Sequence, residues 1–231
     1  MNGRLKVLGV FLAVFGLAFL AGGAFAYYKT DQGAKALNAF SAAQNVTLHY
    51  NADGQLADAK GDTTEATAIM GLLTNDWGYT VDKSELNPND PIVNTASEYM
   101  FQMAMITYHT LHAATTVTIP EDVVVNGQVV TKAGTYDFQN DGKYWTGFDR
   151  TDPIQGAARG QIWTPTALAL VGQLGVGSVT ASALQLGLGM AALLAGLGVL
   201  FLLTGLGLVW VARAETVKVK APALQPATSM A

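Results

Sequence analysis

The chain has 231 residues, with 17 Asp and Glu against 13 Lys and Arg, for a formal net charge of −4. It has no Cys, which excludes disulfides, thiolate metal clusters, lipoprotein attachment through Cys and a C-x-x-C-H haem site. The acids are unevenly placed, with 16 of the 17 falling between residues 29 and 165. A segment that acidic repels phosphate polymers, so nucleic acid is not an expected partner.

In chain order, Arg4 and Lys6 precede a charge-free run from Val7 to Tyr28, 22 residues long. About 20 apolar residues suffice to cross a hydrocarbon core of about 30 Å, so this run is a candidate span. Tyr27-Tyr28 fits an interfacial anchor. A secretory signal is the competing interpretation, since Ala24-Phe25-Ala26 is an A-x-A cleavage pattern. The length of the apolar run and the tyrosines favour a retained helix.

Beyond Tyr28, Asp31 to Asn45 is helix-compatible, with Asp31 as its cap. Val46 to Tyr50 alternates as a strand, and Asn51-Ala52-Asp53-Gly54 turns it. A helix is expected from Glu65 to about Thr74, capped by Thr63 or Thr64 and ended by Asn75-Asp76-Trp77-Gly78. The longest helix of this region runs from Ala96 to about Ala113. It carries Met100, Phe101, Met103, Ala104, Ile106 and Leu111 on one broad stripe. The period then changes. Val123-Val124-Val125 and Gln128-Val129-Val130 flank Asn126-Gly127, which predicts a two-residue hairpin with a type I′ turn. Thr135 to Phe138 is a third strand, and Asn140-Asp141-Gly142 is another tight turn. The region is α+β, two or three helices against a small meander.

Thr164-Pro165-Thr166 opens a further helix, with the proline in its first turn. Residues 166–183 are apolar but include Gly172, Gly175 and Gly177. They fit either a continuous helix into the next span or a break at the glycines. Leu184 to Ala212 is again free of charge, and Arg213, Lys218 and Lys220 follow it.

The expected fold class is therefore a membrane hairpin of two transmembrane helices with an α+β extracytoplasmic domain. Its parts are 1–28, an N-terminal transmembrane helix; 29–165, the external domain; 166–183, an apolar helical lead-in; 184–212, the second transmembrane helix; and 213–231, a cytoplasmic tail. Orientation follows from Lys/Arg bias beside the spans, which places both termini in the cytoplasm. Residues 29–165 hold 8 Lys/Arg against 16 acids, a formal −8, while the ends hold 5 basic residues against Glu215.

Candidate sites are few. His109 and His112 lie one turn apart, and His49 is the only other histidine. Without Cys, a metal site would need these three and carboxylates, so local bonding is the favoured reading and no metal residue is assigned. The Asp-rich stretches match no twelve-residue calcium loop and fit turn chemistry. There is no G-x-S-x-G elbow, S-x-x-K motif, phosphate loop or dinucleotide fingerprint. No catalytic residue and no cofactor is expected, and the chain is read as a non-enzyme. The sharpest signal is small residues at four-residue spacing in both spans: Gly9 with Ala13, Ala18 with Gly22, Gly187 with Ala191 and Ala195, and Ala192 with Gly196. Such faces let transmembrane helices approach closely.

Tyr144-Trp-Thr-Gly-Phe-Asp-Arg-Thr-Asp-Pro153, Asn75-Asp-Trp-Gly-Tyr79, Asn87-Pro-Asn-Asp-Pro91 and Met190-Ala-Ala-Leu-Leu-Ala-Gly-Leu-Gly-Val-Leu-Phe201 stand in this order of parts. With them the chain resembles small actinobacterial two-span membrane proteins often labelled aromatic ring-opening dioxygenases, a label for which these residues supply no metal-ligand set. Within that group it is similar to the accessory subunits, of about this mass, of the cytochrome bcc–aa3 respiratory supercomplex. The resemblance implies a cofactor-free subunit packed at the periphery of a redox core, with integral membrane subunits and the lipid bilayer as partners. It assigns no catalytic residue. The alternative is an envelope protein whose external domain binds or senses a ligand.

Overall fold

The computed structural model describes residues 2–218. Of the tail 213–231, residues 219–231, Lys220 among them, lie outside the described residues. Five α-helices and four β-strands follow in order: α1 (Asn2–Gln44), α2 (Thr64–Gly71), α3 (Ala96–Leu111), β1 (Ala114–Ile119), β2 (Val123–Val125), β3 (Gln128–Thr131), β4 (Gly134–Gln139), α4 (Pro153–Ile162) and α5 (Pro165–Lys218). The chain divides at 35/36 and at 183/184 into a helix pair and an α+β unit.

Two long apolar helices thus enclose, in sequence, a small α+β region. Both are long and apolar enough to cross a membrane, α1 from Gly3 and α5 as far as Arg213. Only 17% and 11% of their most apolar windows are buried, whereas the core helix of a water-soluble domain buries its apolar face. Helix α1 does not stop after Tyr28. Asp31 lies inside it and bonds Lys35 Nζ at 2.6 Å instead of capping a new helix. Nor do the glycines at 172, 175 and 177 break α5, which continues for 54 residues.

In the helix pair, α1 and α5 run antiparallel along a seam of small residues repeating every seven positions. Gly9, Gly16 and Gly23 are buried on one side, and Ala191, Gly198, Gly205 and Ala212 on the other. A seven-residue repeat keeps one face of each helix on its neighbour and is the spacing of left-handed pairs.

In the α+β unit, α3 begins with a capping box. Thr95 Oγ1 accepts from Glu98 N at 3.4 Å, and Glu98 Oε2 accepts from Thr95 N at 3.0 Å. Two orphan amides are satisfied this way, and Glu98 is buried to 1% exposure. Around α3, Leu48, Ile69, Leu73, Val93 and Phe101 form one apolar cluster. Leu111, Val117, Phe148, Ile162 and Trp163 form a second with Leu72. The glycines of α5 admit it to the first: a Cβ on Gly177 would stand 2.7 Å from the Tyr99 ring.

The expected meander does not form. Val46 to Tyr50 makes only single bridges, Thr47 to Ile92 and Tyr50 to Leu56. The Asn126-Gly127 hairpin forms, with φ of +53° and +80°, but β2 and β3 stand as a separate two-stranded ribbon. Strand β4 passes over its sequence neighbour and pairs antiparallel with β1, Val117 opposite Tyr136. Helix α4 was also not foreseen. Asp152 caps it through Ile154 N at 2.9 Å, and Pro153 occupies its first turn.

Candidate functional site: a glycine seam and an aromatic cluster

The seam owes its closeness to missing side chains. A Cβ on Gly16 would come within 2.5 Å of Leu202 N and 2.8 Å of the Gly198 carbonyl oxygen. One on Gly205 would meet Ala13 N and the Gly9 oxygen, each at 2.5 Å, and one on Gly23 would meet Ala195 N at 3.0 Å. These distances leave no room for even a methyl group, so backbone rests on backbone. Phe19 and Phe201 pack beside the seam with ring centroids 5.6 Å apart.

Against this geometry, the small residues singled out from sequence fall on two surfaces. Gly9 and Ala191 are buried in the seam. Ala13 and Ala195 flank it, half-buried, and Gly187 receives Thr30, whose Oγ1 would lie 2.6 Å from an added Cβ. Gly22 is half-buried beside Leu194 at 4.0 Å. Ala18, Ala192 and Gly196 face outward and are exposed, and nothing lies within 4 Å of a Cβ on Gly196. Gly198 and Gly205, which with Gly189 and Gly196 form a glycine series legible in the second span, are buried in the seam. Sequence reasoning missed Gly16, Gly23 and Ala212, although their seven-residue spacing was the signal that could have found them.

In the α+β unit, two of the strings that carry the resemblance meet across 67 residues: Trp77 Nε1 donates to Tyr144 OH at 2.8 Å. A π-helical turn at Leu72–Asp76, closed by Trp77 N on the Leu72 carbonyl at 3.1 Å, precedes Trp77 directly. Tyr144 stacks on Trp163 with centroids 6.1 Å apart, and Trp163 Nε1 donates to the Lys143 carbonyl at 3.0 Å. The Arg159 guanidinium lies 4.1 Å over the Trp145 ring, with Nε and Nη1 buried and unbonded. Trp, Tyr and Arg in such proximity are the residue types that dominate protein–protein contact energies. A hollow of about 270 Å³ opens among Trp77, Met103, Tyr144, Trp145 and Trp163.

The polar candidates are locally engaged. His109 Nδ1 stands 3.3 Å from Glu65 Oε1, and His112 Nδ1 lies 2.8 Å from the Tyr108 carbonyl. Among the described residues no three His, Cys, Asp or Glu side chains gather as a metal-binding group. Asp62, Asp82 and Asp149 accept hydrogen bonds from Thr64, Ser84 and Thr151, which hold their carboxyls below the usual carboxylate range. Glu98 goes the other way. Burial pushes its carboxyl up from an ordinary 4.5, against the hydrogen bonds from Asn94, Thr95 and the Thr95 hydroxyl.

No family model, no curated protein and no solved structure matches the chain.

Proposed function

We propose that this chain is a non-catalytic accessory subunit of an actinobacterial membrane respiratory complex of the bcc–aa3 kind. In this reading α1 and α5 cross the bilayer, both termini are cytoplasmic and residues 29–165 lie outside. The observation that carries it is the division of the small residues. The seam occupies one face of each helix, yet Ala18, Ala192 and Gly196 leave close-approach positions on other faces. The external unit adds surface of the same sort: Val124, Val125, Val129 and Val130 on the β2–β3 ribbon are each about half exposed. A two-stranded ribbon is marginal alone in water, so apolar cover from a partner would stabilise it. The resemblance supplies the kind of partner, integral membrane subunits around a redox core.

The test is copurification from native membranes. Ala192→Leu with Gly196→Leu should free the chain from the haem-absorbing complex at unchanged membrane abundance, because leucine suits lipid but blocks close approach. Normal comigration of that variant, or comigration of the unmodified chain with no haem protein, would sink the reading. Orientation is tested on the Cys-free background. An impermeant thiol reagent should label Lys60→Cys in intact cells and spare Ser229→Cys, which lies outside the described residues.

A further inference from the structure

Within the α+β unit, a cleft of about 360 Å³ opens between the last turns of α1 and the first turns of α5. Leu37, Phe40, Val46, Val93 and Leu174 wall it, and no charged side chain lines it. Its volume falls within the range of small-molecule sites, about 300–1,000 Å³. Gly172 faces it with nothing within 4 Å of its Cβ position, so the room continues to the helix backbone.

Gln44, Gln173 and Thr180 also line the cleft, and its buried polar feature is a hydroxyl pair. Ser41 Oγ and Tyr99 OH lie 2.7 Å apart, with residue exposures of 3% and 6%. Each hydroxyl carries one proton, and the bond between them uses one. The other has no acceptor among the described residues. Ser41 does not return it to its own helix in the way that Thr67, Thr74 and Thr110 bond the carbonyl four residues back. Gly177 fixes the ring that carries the phenol, since any side chain there would strike Tyr99. A buried donor without an acceptor is costly, and a bound acceptor relieves that cost.

From these features we infer that the cleft is a binding site for a lipid acyl ester, the chain lying along the apolar walls and the ester carbonyl accepting the spare proton of the Ser41–Tyr99 pair. The absence of charge in the lining suits a neutral acceptor and a hydrocarbon tail. The lipid source follows from the helices themselves. Leu37 and Phe40 stand on α1 and Leu174 on α5, helices whose other segments are the apolar ones, so membrane lipid is the abundant ligand of this chemistry. The inference rests on those segments lying in a bilayer but not on any respiratory partner.

The full chain, reconstituted in phosphatidylglycerol vesicles containing a trace of the same lipid with a diazirine on one ester-linked acyl chain, is irradiated and its adducts mapped by peptide mass spectrometry. Adducts are expected on residues 37–46 and 172–180 as well as on the apolar segments. Gly172→Leu fills the cleft and should cut cleft adducts about tenfold, the factor that about 1.4 kcal/mol produces, while adducts on 7–28 persist. Tyr99→Phe combined with Ser41→Ala keeps the ring, removes both hydroxyl protons and should abolish the preference for ester-linked over ether-linked chains, whereas Tyr99→Phe alone leaves the Ser41 proton free to donate. Adducts on 7–28 alone would overturn the site while leaving membrane insertion standing, and adducts nowhere would overturn both. Cleft labelling indifferent to Gly172→Leu would overturn it too, and equal ester and ether labelling of the unmodified chain would remove the hydrogen bond from the inference.

Discussion

The helix pair and the α+β unit solve packing in opposite ways. In the α+β unit, large side chains such as Leu73, Phe101 and Val117 are almost wholly buried, and hydrocarbon fills the interior. In the helix pair the interior positions are Gly9, Gly16, Gly23, Gly198 and Gly205, while Val7, Leu17, Leu186 and Leu203 point outward, each more than half exposed. In water, apolar surface drives itself inside. Where the surroundings are as apolar as leucine, that drive vanishes and closeness of backbones takes over. The same residue is therefore a filler in one unit and a covering in the other, and this contrast predicts how each unit breaks.

The largest effect should come from Phe101→Ala. It empties a site 1% exposed and should cost about 3–5 kcal/mol, read as a lowered midpoint in denaturant for the α+β unit. A mild change there would mean that the cluster is not the stabilising core. The helix pair should fail by the opposite substitution. Gly16→Leu overfills the seam at about 1–3 kcal/mol or more. A disulfide between Phe19→Cys and Phe201→Cys, positions whose rings now stand 5.6 Å apart, should form readily with Gly16 in place and fall to background with leucine there. Gly196→Leu, on the open face, should leave that crosslink unchanged.

Next in size is the capping box of α3. Glu98→Ala leaves two amides unsatisfied and should cost about 1–3 kcal/mol, whereas Glu98→Gln keeps an acceptor and removes the buried charge. This pair of variants also sharpens a pH signature. Because burial raises Glu98 above its ordinary 4.5, folding disfavours its charged form. Its contribution should therefore grow as pH falls through the raised value toward 4.5, and Glu98→Gln should lose that gain in melting curves. Asp62, Asp82 and Asp149 have lowered values, so their contributions are present above the ordinary range and are lost only as pH falls through it. A unit that weakens from pH 7 to pH 5 and does so equally in Glu98→Gln would contradict this assignment.

The smallest effect tests the aromatic cluster. Tyr144→Phe removes the acceptor of Trp77 Nε1 but keeps the stacking, and should cost about 1 kcal/mol with a shift in Trp emission.

What the sequence made legible was local. Asn126-Gly127 specifies its own turn, and Thr164-Pro165 opens α5 because both signals act within a few residues. Asp152-Pro153 carries the start of α4 in the same local terms, and Thr95-x-x-Glu98 carries the capping box. The pairing of β1 with β4 was not legible: it depends on Val117 finding the second apolar cluster, a tertiary choice that local pattern does not encode. The candidate residues of the helix pair were half legible. Spacings of four and seven share positions such as Gly9 and Ala191, and a single strand of sequence does not say which face meets the other helix. The meeting of Trp77 with Tyr144 had no signal in either string alone.

The seam also bears on how such a chain can change over time. Its geometry depends on what is absent at a handful of positions, and beside them Phe19 packs on Phe201 and Thr30 on Gly187, while the surface turned away from the seam takes no part in holding the helices together. Outward residues can be exchanged for others of similar polarity while the pair keeps its spacing and its seven-residue register. A joint of that kind is a fixed frame, and the faces around it are left open to whatever packs against them.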